Sequence, residues 1–388
     1  MTVLSQLKDI PTIYNKEKER KIMVLEALVK FSNFYGSNEE LVLAGGGNTS
    51  AKDGDVMYIK GSGTRLSDIT AEGFVKMSRE KIAEIFTKTY PDNDKEREAL
   101  SLADLMAAKL PGQENKRPSV ETTLHSLFPQ TYVLHLHPAL VNGITCAVDG
   151  KQWAQKLFGN DVLWIDACKP GYTLAKICYD TLTEYKASSG KDADMLLLEN
   201  HGIFIADNDV DALGEKLFSV MAKIREQVPC DPDFSVGEFD GDKSQLIFNE
   251  IADTFGEDSV ITYEPSAASL EYAQSEAAFN KIRKPFNPDQ VVYCKPYPIY
   301  INGIEEIAPA VEEYKNKNGF MPKIIFVKDC GICAVDYSPK GSETAAALFN
   351  DAMKIEFYAR AFGGAKPMSG ELTDFIVNWE AESYRSKQ

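Results

Sequence analysis

Apolar positions recur at helical spacing early in the chain and at strand spacing soon after. Residues 1–37 read as an amphipathic helical entry, with Ile22, Val24, Leu25, Leu28, Val29 and Phe31 as its apolar face. Glu40–Ala44 reads as a short strand running into Gly45-Gly46-Gly47-Asn48-Thr49-Ser50. Asp53-Gly54 is a hairpin-turn dipeptide, so Val56–Ile59 is the returning strand, and it opens into Gly61-Ser62-Gly63-Thr64. Helices are predicted over Ala71–Thr87, Lys95–Lys109 and Ser119–Phe128, the last just after Pro118, where proline is tolerated. The β-branched and aromatic run Tyr132-Val133-Leu134 predicts a strand through His135-Leu136-His137.

The alternation continues with a helix over Pro138–Cys146, a strand near Val162–Ile165 and a helix from Tyr172 to about Tyr185. Met195–Leu198 and Ile203–Ile205 are strands around the turn Asn200-His201-Gly202, and the helix Val210–Arg225 closes the unit. Such alternation predicts an α/β fold with helices on both sheet faces. Composition shifts to Pro, Asp and Gly over 228–241, a linker that divides the chain into residues 1–228 and a smaller α/β domain, 242–388. Val327–Asp336 aligns without a gap on Leu198–Asp207, and Ala347–Ile355 answers Lys216–Ile224. The second domain therefore reads as a partial repeat of the first, or as a chance likeness of two buried strand pairs; Cys330 falls where His201 stands.

At 388 residues, 44% hydrophobic and 26% charged, the chain has the make-up of a globular enzyme large enough for two domains. A net charge of −16 argues against a nucleic-acid or acidic-membrane surface, which calls for a basic footprint. It leaves room for a small anion held locally by backbone N–H groups. Seven scattered cysteines do not form a disulfide framework and suit a reducing cytoplasm. Cys330-Gly331-Ile332-Cys333 has redox-motif spacing, but it stands alone and is read as an apolar strand-turn. Met1–Lys21 has no uninterrupted apolar core, so no signal peptide is expected, and no stretch approaches the roughly 20 apolar residues of a membrane span.

Candidate chemistry concentrates in Arg117–Pro138, which holds three of the four histidines. On a strand, positions i and i+2 share a face, so His135 and His137 project together and can chelate a divalent cation. His201, in a Gly-flanked turn after another apolar run, can supply a third ligand. Half-buried, hydrogen-bonded rings are the alternative. Glu121 stands four positions before His125 on one helix face, as charge compensation at the helix start or as a general base beside the metal. His125 is read as a packing or supporting residue. The two glycine-rich loops make a cradle suited to a phosphate, or are turns and nothing more.

Taken in order, Gly47-Asn48-Thr49-Ser50, Gly61-Ser62-Gly63, Ser119-Val120-Glu121, His135-Leu136-His137 and Asn200-His201-Gly202 resemble the class II aldolase/adducin family over roughly residues 22–226. Arg117–Glu121 and Lys169-Pro170-Gly171-Tyr172 look closest to the aldolase region of long rhamnulose-phosphate aldolase/dehydrogenase proteins. Residues 265–388, including the stretch near Phe375–Arg385, resemble the segment that follows; the dehydrogenase domain has no counterpart in this sequence.

The resemblance implies a three-layer αβα domain in which His135, His137 and His201 bind Zn2+ or another divalent ion. It implies Glu121 as the acid/base carboxylate, and Asn48, Ser62, Gly63 and Ser119, with Gly47 close by, around the substrate phosphate. Val120 departs from the pattern, since short fuculose-phosphate aldolases carry a second serine there. The implied activity is cleavage of a phosphorylated sugar, a ketose 1-phosphate, to dihydroxyacetone phosphate and an aldehyde in carbohydrate catabolism. A sugar-phosphate epimerase or dehydratase on the same metal, or a non-enzymatic adducin-like module, are the alternatives. A cytoplasmic homo-oligomer that engages neither nucleic acid nor membrane is expected.

Overall fold

The computed structural model describes residues 13–379, with side-chain surroundings from residue 23 onward; the outer ends of both expected domains and the positions after Trp379 in the Phe375–Arg385 stretch lie outside the described residues. The expected helical entry is α1 (Ile13–Gly36), whose Leu28, Phe31 and Tyr35 are buried. Glu40–Ala44 is not a strand: Asn38 O accepts from both Leu41 N and Val42 N, and Gly46 N donates to Leu43 O, so the segment coils into successive turns. The strand begins later, as β1 (Asn48–Asp53), and pairs with β2 (Val56–Lys60) across the Asp53-Gly54 turn. The helix expected from Ala71 is a single tight turn followed by β3 (Phe74–Ser78), where Phe74, Val75 and Met77 are buried and Lys76 is exposed. Only then does α2 (Arg79–Ile85) start, capped by Ser78 Oγ accepting from Lys81 N. Next come α3 (Asp94–Ala107), α4 (Thr122–Leu127) and β4 (Tyr132–Leu136).

The unit is completed by α5 (Ala139–Thr145), α6 (Gly150–Phe158), β5 (Leu163–Ile165), α7 (Tyr172–Ser189), β6 (Met195–Leu198), β7 (Gly202–Asp207) and α8 (Val210–Arg225). Its seven strands run in the order β3-β2-β1-β4-β7-β6-β5, antiparallel except for β5 with β6. Side chains alternate across this sheet. Leu134, Leu197 and Ile205 pack with residues of α1, α5 and α8, while Val133, Leu196, Leu198 and Phe204 pack with Leu124 of α4 and Leu174 of α7. Helices thus cover both faces.

The second unit runs α9 (Gly241–Phe255), β8 (Val260–Glu264), α10 (Ala267–Ala273), α11 (Glu276–Phe279), α12 (Pro288–Cys294), β9 (Ile299–Ile301), α13 (Ile307–Asn318), β10 (Ile324–Val327), β11 (Gly331–Asp336), α14 (Pro339–Ala359) and α15 (Gly370–Asn378). Its sheet, β8-β11-β10-β9, reproduces β4-β7-β6-β5, including the single parallel pair, here β9 with β10. The aligned turn residues Asn200 and Asp329 both take left-handed backbone, at φ 55° and 60°. The sequence echo is therefore a topological repeat. Counting along the strand registers, Tyr263, Pro265 and Cys330 occupy the positions of His135, His137 and His201. All seven cysteines are unpaired, Cys330 and Cys333 among the buried ones.

One apolar core joins the two sheets: Leu134 and Ile205 of the first belong to the same cluster as Phe326 and Ala334 of the second. The contact runs through α5 and α14. Gly143 makes it possible, because a Cβ there would meet Tyr358 Cβ at 2.5 Å. Gly143→Ala should force these helices apart and lower stability by about 1–3 kcal/mol in urea unfolding; an unchanged midpoint would mean the contact yields freely.

Asp351, on α14 at the same junction, has a side chain only 14% exposed, 3.6 Å from Lys354, which also pairs with Glu40 at 2.9 Å. Burial pushes its carboxyl up to about 7, with Lys354 pulling the other way. The folded chain then keeps a proton that the unfolded chain releases near pH 4, so stability falls as pH rises from about 4 to about 7. Asp351→Asn should gain on the wild type as pH rises through that window, by on the order of 2 kcal/mol between pH 5 and pH 8. Unfolding curves at the two pH values check this, and an equal offset at both would contradict it.

Candidate metal centre

His135 and His137 stand at the end of β4, and His201 in the turn between β6 and β7 that lies beside it. That turn can sit so close only because residue 202 is glycine: a Cβ there would come within 2.3 Å of Leu136 O and 2.7 Å of the His137 ring. His135 is fully buried and stacks on Phe204 with ring centres 4.0 Å apart. Its Nδ1 meets the carbonyl oxygen of Ile203 at 2.9 Å, so Nδ1 carries the hydrogen and Nε2 is left as an acceptor. His137 Nδ1 meets the Asp289 carboxylate at 2.6 Å, which fixes the same tautomer there.

The Nε2 atom of His135 then lies 2.8 Å from that of His137 and 3.3 Å from that of His201. Glu121 Oε1 is 3.1 Å from the Nε2 atoms of both His135 and His201, yet has no hydrogen-bond partner. Its other oxygen accepts from Asn48 Nδ2 at 2.5 Å. One ligand atom from each of the four residues falls within a 4.8 Å span. Nitrogens bonded to a tetrahedral zinc at about 2.0–2.1 Å stand roughly 3.4 Å apart. Acceptors facing one another at these separations repel unless a cation lies between them, so the donor set fits a divalent metal.

Burial holds the His135 imidazole down to about 4, against the pull of the Glu121 carboxylate, so its ring is neutral at pH 7 as a ligand must be. Burial alone would push the Glu121 carboxyl up, and positive charge at the His135 and His201 nitrogens pulls it well below the usual carboxylate range. Glu121 is the N-cap of α4. The segment before it is tied to the second glycine-rich loop, with Ser62 N donating to Arg117 O at 2.8 Å and Ser119 N to Lys60 O at 3.1 Å. Asn48, opposite His135 in the β1–β4 register, also donates to Ser119 Oγ at 3.3 Å.

A cleft of about 780 Å³ opens over this cluster. Gly47, Asn48, Ser62, Gly63 and Ser119 all line it, with Glu121, His137 and His201 at its base and Val120 beside them. Gly47 and Gly63 have φ of 65° and 86°, left-handed backbone that glycine adopts without strain. His125 does not join the cluster: buried behind it, its Nδ1 lies 2.7 Å from Ser50 Oγ and its Nε2 meets Asn48 Oδ1. It thereby orients Asn48 toward Glu121. Sequence reasoning missed Asp289, whose partner is 152 positions away, and the far wall of the cleft, which Tyr293, Lys323, Ser338 and Lys340 build from the second unit. It also passed over Lys60, a buried lysine on the cleft wall that the strand pattern alone accounts for.

No helix among the described residues is long and apolar enough to cross a membrane. Among relatives, an uncharacterized oxidoreductase, YuxG, of Bacillus subtilis (strain 168) is 24% identical over 93% of this chain, which spans 58% of that protein's length. The N-terminal class II aldolase domain of a conserved Thermoplasma acidophilum protein matches at 25% identity, TM-score 0.44, over 51% of this chain and 91% of its own. An L-fuculose-1-phosphate aldolase from Thermus thermophilus matches at 15% identity, TM-score 0.34, over 52% and 92% respectively. The family model of the class II aldolase and adducin N-terminal domain matches residues 26–228, more than half of the chain. By that match, and with the α/β architecture described above, this chain belongs to the class II aldolase/adducin family.

Proposed function

We propose that the chain is a metal-dependent aldolase that cleaves a ketose 1-phosphate to dihydroxyacetone phosphate and an aldehyde. The observation that carries this reading is the meeting of three imidazoles and one carboxylate at the base of a cleft rimmed by small-residue loops. Family membership supports it. An adducin-like inert module would have no need of three converging ring nitrogens.

In this reading His135, His137 and His201 hold the divalent cation, with zinc favoured by an all-imidazole set. When bound, the ion supplies Lewis acidity toward a sugar's carbonyl and adjacent hydroxyl oxygens. Gly47, Asn48, Ser62, Gly63 and Ser119 hold the phosphate through backbone and side-chain donors. Val120 adds no donor, so the loops carry more of that load. In cleavage the 4-hydroxyl gives up its proton as the C3–C4 bond breaks and the aldehyde leaves, and the electron pair left at C3 takes a proton delivered by Glu121; in the reverse direction the ionised Glu121 removes that proton. Asn48 holds the carboxylate in place by its hydrogen bond to Oε2.

His137→Ala should abolish stoichiometric metal in the purified protein, read by elemental analysis; unchanged content would refute the ligand set. Glu121→Gln should keep the metal and lose about 100- to 10,000-fold in turnover, and a rate within tenfold of wild type would remove it from the mechanism. Incubation of metal-loaded protein with ketose 1-phosphates should release triose phosphate. Formation of an isomeric pentulose phosphate instead would point to an epimerase, and loss of water to a dehydratase.

A further inference from the structure

The second unit repeats the first without its histidines, yet it reaches the metal centre directly through a carboxylate. Asp289, in the first turn of α12, places Oδ2 2.6 Å from His137 Nδ1, with both side chains less than a tenth exposed. The segment that carries it is tied down by its own hydrogen bonds. Asn287 caps the helix by accepting from Gln290 N at 3.1 Å, and Gln290 Oε1 accepts from Phe286 N at 2.6 Å. From the first unit, the glycine loop fits over the carboxylate: a Cβ on Gly46 would lie 3.1 Å from Asp289 Oδ2. The same short segment also holds the turn that carries His201, because Phe286 O accepts from Asn200 Nδ2 at 3.1 Å.

We propose that Asp289 is a positioning residue for the metal centre, supplied by the second unit: it fixes the tautomer and aim of His137 so that Nε2 faces the shared cation. A carboxylate behind a ligating imidazole makes the ring a stronger donor, and loss of such a partner weakens metal binding by about 10- to 100-fold. The repeat thus has a function although its own site has lost its ligands. Removing residues 242–388 would take away a part of the centre as well as a covering.

This inference rests on the proposed metal site, and the test separates the two. Full-length Asp289→Asn keeps the volume and a hydrogen-bond acceptor but loses the charge; Asp289→Glu keeps the charge. Affinity for Zn2+ alone is measured by competition with a chromophoric chelator, and Co2+-loaded protein is examined by its visible absorption. Thermal unfolding of the metal-free proteins monitors folding. Zn2+ affinity should fall about 10- to 100-fold in Asp289→Asn, the Co2+ spectrum should change, and Asp289→Glu should recover part of the affinity. Wild-type affinity and spectrum in Asp289→Asn would overturn the proposal, and a lowered unfolding temperature alone would make the pair a structural contact only. Should Asp289→Asn not fold, Asp289→Glu decides by the same measurements: a changed Co2+ spectrum sustains the positioning role, and an unchanged spectrum and affinity overturn it. If wild type itself binds no Zn2+, the proposed metal site fails and this role of Asp289 falls with it, an outcome distinct from wild-type affinity retained in Asp289→Asn.

Discussion

Everything in this molecule turns on what occupies the far side of each imidazole. A ring that donates from Nδ1 to a fixed acceptor must offer a lone pair at Nε2. For His135 that acceptor is a backbone carbonyl of β7, and for His137 it is a carboxylate carried by helix α12 of the second unit. The cluster is therefore set by strand register as much as by side-chain identity. A one-residue slip of β4 against β7 would turn His135 to the opposite face and leave its Nδ1 without Ile203.

The same constraint explains the division of labour between two units of one topology. Equivalent faces of both sheets meet in a common core, so the units form one folded body. In the second unit, Tyr263 stands in register where His135 does, and its hydroxyl donates to Cys330 O at 2.6 Å. An internal hydrogen bond thus stands where the first unit brings its imidazoles together. One unit carries the histidine cluster, and the other contributes Tyr293, Lys323, Ser338 and Lys340 to the lining of the cleft beside it.

Much of this was legible in the chain. The spacing of His135 and His137 predicts a shared end of a strand, and Asn200-His201-Gly202 predicts a tight turn, because both features are local. At β1 the failure of reading by pattern came from burial of polar groups. β1 is Asn-Thr-Ser-Ala-Lys-Asp, buried throughout, so hydrophobic alternation gave no sign of it and the apolar run before it looked like the strand. Those polar side chains are inside because they serve the site: Ser50 and Asn48 grip the two nitrogens of His125, and Asn48 grips Glu121. Asp289 was illegible for another reason, since Asn287-Pro288-Asp289 is an ordinary helix start and nothing local marks a partner in another sheet.

The charge balance raises a last physical question: how a chain of net charge −16 would hold a phosphate. At physiological ionic strength charges more than about 8 Å apart are largely screened, so surface carboxylates far from the cleft count for little inside it. What counts is local. Lys60, Lys323 and Lys340 line the cleft, and Lys323 is already matched by Asp336. A divalent ion at the histidines would add two further positive charges at the base, beside the carboxylates of Glu121 and Asp289. Glu39, Asp336 and Glu343 line the cleft too, so a cation at the histidines, rather than the lining as a whole, would decide where an anion sits. Salt should accordingly weaken the approach of an anion from solution far less than removal of the metal weakens its retention.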